Sequence, residues 1–285
     1  MTEAVINFYF IRHGQTLANI DYNSYWDLAD HAFPLTAKGV RQAQRMSGSM
    51  ATHLKERRQE EGPTNFGTII VYNSPFYRTR ETTYYLLKRL GKEFDPYKGE
   101  LSYRENNNLI EQNVGWYTKL DNKEFKEKFP HHHADCSLKK RHSGNVYAEY
   151  PMGESRINTA FRAAVFLATA KHDAKVHNYR NVIVVCHGAM IRSLIMELMN
   201  YPPEWFDAEK NLKNCSVRYI FGNEEMGYTD RSYIYPKRRI AGPYNPMDTQ
   251  RKLPGAKDIF MIEPQDPFYM KGIRYRNPFK EPKSP

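Results

Sequence analysis

The chain has 285 residues, a formal net charge of +10, and 40% hydrophobic and 14% aromatic residues. That is ample apolar material for a packed core, and without a run of 18 or more apolar residues no membrane-spanning helix is expected. Cys136, Cys186 and Cys215 are odd in number and lack metal-ligand spacing, and Met1-Thr2-Glu3-Ala4-Val5 lacks the basic-then-apolar order of a signal peptide, so a cytoplasmic protein with reduced thiols is expected.

In chain order, Val5 to Ile11 is apolar, β-branched and aromatic, which predicts a short buried strand ending at Arg12-His13-Gly14. Thr36 reads as the N-cap of a helix from about Ala37 to Glu60. Thr68 to Tyr72 predicts a second buried strand, closed by Asn73-Ser74-Pro75, and a helix follows from about Tyr77 to Leu90. Residues 91–151 are mixed and polar, with His131-His132-His133 and Lys139-Lys140-Arg141, and read as an irregular insertion with short helices. Gly153-Glu154-Ser155 opens a long helix to about Lys175. Asn181 to Cys186 is a third buried strand, ending at His187-Gly188, and a helix from about Ala189 to Asn200 is stopped by Pro202-Pro203. Ser216 to Phe221 and Ser232 to Tyr235 predict further strands.

Strands apolar on both faces, alternating with helices, predict an α/β fold: a mostly parallel central sheet with helices on both faces, plus the insertion and a C-terminal extension. In such folds the site lies beyond the carboxyl ends of the strands. Three loops, Arg-His-Gly, Asn-Ser-Pro and His-Gly, follow three buried strands and so are expected to meet on one edge of the sheet.

Phosphoryl transfer through histidine needs a neutral imidazole to attack phosphorus, cations and donors around the equatorial oxygens, and an acid for the leaving oxygen. Arginine suits the oxygens because its planar fork binds two of them and stays protonated. His13 and Arg12, Arg78 at a helix start, His187, and Glu111 in Leu109 to Trp116 supply that set. No step in this chemistry needs a metal or a cofactor. The triple-histidine run has no supporting ligand spacing, so no metal site is expected there.

These segments resemble the histidine phosphatase superfamily, also called phosphoglycerate mutase-like. The resemblance runs over about residues 5–221: Arg12-His13-Gly14 with Thr16 and Asn19, Leu35-Thr36-Ala37-Lys38-Gly39 with Gln42-Ala43, Ser74 to Thr82, Leu109 to Trp116, Pro151 to Ser155, and Val184 to Arg192. It implies that His13 is the phosphorylated histidine, that Arg12, Arg78 and His187 form the phosphate pocket, and that Glu111 is the proton donor. It further implies that Asn19, Thr16 and the backbone of Ala189 are secondary phosphate or substrate contacts. The spacing to Gly115 selects Glu111 over Glu105 and Glu100, and Arg78 ranks ahead of Arg80 as the motif arginine. Glu154 reads equally as a helix-start acid or as a residue positioning the pocket.

Within the superfamily the sequence looks most like the broad-specificity acid phosphatases of plants and fungi, which implies hydrolysis of a small phosphorylated metabolite. Two other readings stand beside it. A cofactor-dependent phosphoglycerate mutase is disfavoured by Ala18 where those enzymes carry Trp, and by Val114-Gly115-Trp116-Tyr117-Thr118 after the acid. A non-catalytic binding protein is disfavoured because the full set is present.

The expected organisation is a catalytic domain at 1–225, with the 91–151 insertion over the active site, and an extension at 226–285. From Arg231 onward there are 12 Lys/Arg against 5 Asp/Glu, nine prolines and several aromatics. That mixture reads as a basic arm packing on the body or on a second subunit of a homodimer, with nucleic acid or an anionic membrane as the less favoured partners. Lys139-Lys140-Arg141 reads as a solvated patch, with contact to an anionic substrate tail as the alternative.

Overall fold

A computed structural model describes residues 4–236, apart from 22–23, 26–27 and 119–121, together with the backbone at 269–270 and 273–274. The first strand, β1 (Ile6–Arg12), is buried throughout its middle, as its unbroken apolar run requires. Thr36 caps α1 (Ala37–Phe66) by accepting from Gly39 N at 3.0 Å. This helix runs past the expected end at Glu60 to a break at Gly62, whose φ of 76° is not helical, and resumes with Pro63. β2 (Thr68–Asn73) and α2 (Tyr77–Leu90) fall where expected.

The expected irregular segment 91–151 contains a strand, β3 (Leu101–Glu105), followed by α3 (Asn122–Lys128) and α4 (Pro130–Ser143). β3 is paired only with β2 and buries only Leu101, so its other side chains have no need to be apolar and its sequence carries no buried-strand signal. Ser155 Oγ caps α5 (Arg156–His177) by accepting from Asn158 N, and Asn178 ends it in a left-handed conformation. β4 (Tyr179–Cys186), α6 (Gly188–Leu198) and α7 (Pro203–Ala208) follow, then β5 (Val217–Asn223) and β6 (Gly227–Tyr235). β6 starts at Gly227 rather than Ser232, so the sheet continues into the segment expected to be an extension.

The sheet order is β3-β2-β4-β1-β5-β6. The first four strands are parallel, β5 runs antiparallel to β1, and β6 runs antiparallel to β5. One face packs Tyr9, Ile11, Ile69, Val71, Ile183 and Val185 under α1 and α2. The opposite face meets α5, where Tyr72 contacts Phe166 edge-on at 5.2 Å. Crossovers of this kind leave the carboxyl ends of β1, β2 and β4 side by side.

Cys136, Cys186 and Cys215 are free and buried. His132 packs its ring 4.9 Å from Trp116, and Lys140 lies over the rings of Tyr117 and Tyr150. Among the described residues no cluster of His, Cys, Asp or Glu is placed to hold a metal, and no helix is long and apolar enough to cross a membrane. Residues 243–285 form a unit of their own, in which Tyr269–Met270 pairs antiparallel with Ile273–Arg274. The packing expected of the basic arm lies otherwise outside the described residues.

Candidate active site

Arg12 is the register partner of Cys186, so His13 and His187 leave adjacent parallel strands one residue later. Their rings lie 5.3 Å apart and both are buried. The backbone that follows His13 is tightly packed: a Cβ on Gly14 would sit 2.7 Å from Gly39 O, and one on Gly39 would sit 2.2 Å from Gln15 O. Only glycine fits at either position, which explains why both residues of this crossing lack a side chain.

The hydrogen bonds fix the tautomers. His13 Nδ1 lies 2.7 Å from the Gly14 carbonyl, which can only accept, so Nδ1 carries the proton and Nε2 carries the lone pair. Arg78 Nε donates to His187 Nδ1 at 3.3 Å, so the His187 proton is on Nε2, 2.8 Å from Ser74 Oγ. Burial, with Arg78 and Arg12 close by, holds the His13 pKa well below its ordinary value. Burial followed by Arg78 does the same for His187. Both rings are thus kept neutral, the form a nucleophilic imidazole requires.

Two guanidinium groups flank the histidines. Arg12 Nη1 donates to Leu212 O, while its buried Nε has no protein partner. Burial is the main cause of its lowered pKa. Arg78 is buried at the first turn of α2, with Phe76 beneath its guanidinium at 4.9 Å and the same Phe76 ring against His187. Arg78 Nη1 donates to the carbonyl of Asp30 and lies 3.1 Å from that residue's carboxylate. Arg80 instead points outward, in a bidentate pair with Glu105.

Glu111 is at the N-terminus of α6, whose N-cap residue, His187, makes no side-chain cap. The Glu111 carboxylate fills that place, accepting from Ala189 N at 3.2 Å, Met190 N at 3.3 Å and Gln112 N at 3.0 Å. The Ala189 N–H, expected to meet a phosphate, therefore donates to Glu111 in this state. Asn19 is exposed, and its Oδ1 accepts from Thr16 N and Asn214 Nδ2, while Thr16 is buried and bridges to Leu35.

Several residues with structural reach into the site escaped the sequence reading. Arg162 binds Glu154 in a bidentate pair and donates to the carbonyls of Asn108, Ile110 and Glu111, which pins the loop that carries Glu111. Glu154 in turn accepts from Asn113 N, so it positions the acid loop rather than only opening α5. An arginine inside an otherwise Ala-rich helix, eight residues after Glu154, is the signal that points to Arg162. Ser74 lies in the Asn-Ser-Pro loop expected at the site, but the contacts of Asp30, Ser74 and Asn214 could not be read locally, because their partners are 48 or more residues away in sequence.

Residues 8–228 match the model of the histidine phosphatase superfamily (branch 1). The chain is 26% identical over 221 residues to phosphoglycerate mutase-like protein AT74H of Arabidopsis thaliana, covering 74% of this chain and 72% of that protein. It is 26% identical over 217 residues to phosphoglycerate mutase-like protein AT74 of the same plant, covering 74% of this chain and 63% of that protein, just under two thirds of its length. The vanadate complex of mycobacterial glucosyl-3-phosphoglycerate phosphatase superposes with a TM-score of 0.59 at 21% identity, over 79% of this chain and 97% of that one, which is a likeness of fold.

Proposed function

The chain belongs to the histidine phosphatase superfamily (branch 1), and from that premise we propose that it is a phosphomonoester hydrolase acting through a phosphohistidine at His13. The observation that carries this reading is the Nδ1–H bond of His13 to Gly14 O, which leaves Nε2 as the free basic nitrogen of a ring held neutral.

In the first step His13 Nε2 forms a bond to phosphorus as the bond from phosphorus to the ester oxygen breaks. Glu111, in its protonated form, gives its proton to the departing alkoxide. The charge gathering on the equatorial oxygens is met by Arg12, whose Nε is unpartnered, and by Arg78, with His187 alongside. In the second step Glu111 takes a proton from water, water attacks phosphorus, and inorganic phosphate leaves while His13 Nε2 recovers its lone pair. The close packing of Glu111 on Ala189 N and Met190 N supports a role at the α6 N-terminus, where the same N–H groups suit a phosphoryl oxygen once the carboxylate turns aside. The substrate class that fits is a small phosphorylated metabolite, and the 91–151 segment is the part of the chain expected to cover it.

The test is to incubate the enzyme with a panel of phosphoesters, quench in alkali and look for phosphohistidine. Turnover with labelled His13, lost in His13→Ala, is the expected result, and full activity in His13→Ala would refute it. Rapid interconversion of phosphoglycerates on adding 2,3-bisphosphoglycerate, without net hydrolysis, would make it a mutase instead.

A further inference from the structure

We propose that Asn214 is a positioning residue for the phosphoryl site, setting both the placement of His13 and the polarity of Asn19. The inference rests on the reading of His13 as the nucleophile.

The loop 212–216, between α7 and β5, grips the Arg12-His13 dipeptide at both backbone carbonyls, at Arg12 N and at Arg12 Nη1. Arg12 N donates to Ser216 O at 3.2 Å, and Arg12 Nη1 donates to Leu212 O at 2.5 Å. Cys215 N donates to Arg12 O at 2.9 Å and, less closely, to His13 O at 3.3 Å. Cys215 adopts a φ of 58°, a left-handed conformation uncommon for a residue with a side chain, and this turns its N–H back onto β1.

Asn214 is the side chain in this grip. Its Nδ2 donates to His13 O at 3.0 Å and to Asn19 Oδ1 at 3.1 Å. A carbonyl oxygen can only accept, so the amide orientation of Asn214 is fixed. Asn19 Oδ1 also accepts from Thr16 N, so Asn214 and Thr16 together hold the oxygen of Asn19 toward them. With its oxygen doubly engaged, Asn19 offers an incoming anion its NH2 group, the correct sign for a phosphoryl oxygen. A primary amide is the group that can do this: it provides two N–H vectors from one nitrogen to two oxygens. Serine provides one, and aspartate would set its own oxygens against both.

The experiment uses the full chain with p-nitrophenyl phosphate and follows the burst of nitrophenol that accompanies phosphorylation of His13. Asn214→Ala and the near-isosteric Asn214→Asp are expected to slow the burst by about tenfold to a hundredfold, the range for a slightly misplaced reacting group. Asn214→Asp should also set a carboxylate against Asn19 Oδ1, a repulsion that outweighs the single bond from Thr16 N and turns Asn19 over, so that its NH2 faces the new carboxylate. Adding Asn19→Ala to Asn214→Asp should then cost nothing further, although Asn19→Ala alone slows the wild-type burst. A protein in which Asn214 only holds the loop would show equal Asn19→Ala costs in both backgrounds.

Equal costs, or a wild-type burst in Asn214→Asp, would overturn the inference while the nucleophile reading stands. If Asn214→Ala fails to fold, Asn214→Asp with an unchanged melting temperature decides. A wild type without a His13-dependent burst would overturn the nucleophile reading, and this inference with it.

Discussion

Asp30 sits against Arg78, the buried guanidinium beside His187, with its carbonyl accepting from Nη1 and its carboxylate 3.1 Å away. A buried cation without a partner is costly, and here the protein supplies one from a 3-10 turn at Asp30–Ala32. If Arg78 binds a phosphoryl dianion as proposed, the same carboxylate opposes it. Asp30→Asn keeps the carbonyl contact and removes the charge. Inorganic phosphate should inhibit this variant about tenfold more tightly, the size of one like-charge contact at a partly screened site. Equal or weaker inhibition would argue against the competition.

Under the proposed function, Glu111→Gln separates the acid from the nucleophile. Alkyl phosphates leave as strongly basic alkoxides and should lose about 10²–10⁴-fold in kcat/KM, whereas p-nitrophenyl phosphate, with a stable leaving group, should be much less affected. Comparison of the two substrates reads this directly, and an equal loss on both would deny Glu111 the role of acid.

Arg162→Ala should act through Glu111 without touching substrate. It removes a bidentate partner from Glu154 and three carbonyl contacts from the 108–111 segment. Part-buried hydrogen bonds to a charged group predict a stability loss of about 1–3 kcal/mol. Denaturant unfolding measures that loss. Amide exchange should show the acid loop opening, and the activity deficit should follow the same leaving-group order as Glu111→Gln.

The pH dependence follows from the two histidines. Burial and the nearby arginines lower both pKa values, so the folded protein keeps His13 and His187 neutral as pH falls through 6.5, where the unfolded chain takes up protons. His53, half-buried and near Arg57, has its pKa lowered to about 4 by desolvation and then by Arg57, and adds to the same effect. Activity per folded molecule should therefore persist below pH 6, while stability falls as pH drops from 6.5 toward 4. Parallel measurement of kcat/KM and melting temperature checks this, and activity lost with an ordinary histidine pKa would contradict it.

What the sequence made legible was set by local patterns. β1, β2 and β4 are apolar on both faces, and each ends in residues whose types suit phosphoryl chemistry, so Arg12, His13, Arg78 and His187 could be named without coordinates. β3 was hidden because an edge strand with exposed Tyr103 and Arg104 has no need of an apolar run. The α1 break was hidden because Gly62-Pro63 reads as a stop, whereas the chain resumes its helix beyond it. Glu111 could be picked out, but not its place as the cap of α6, since that depends on two segments 78 residues apart meeting. The same holds for Asn214, whose bond to His13 spans 201 residues. Long-range polar contacts carry no periodicity, so only the folded chain reveals them.

The spacing of His13 and His187 has a consequence for how such a protein can change. Each follows a register partner on neighbouring strands, so the gap between their rings is inherited from the pitch of a hydrogen-bonded sheet, about 4.8 Å. That gauge is independent of what lies above it. Under the proposed function, the parts of the 91–151 stretch outside β3 and the Glu111 segment can be lengthened, recharged or rebuilt to admit a different leaving group while His13 and His187 keep the same separation. The gap between the two histidines is thereby cut into the sheet itself, whatever is hung from its edge.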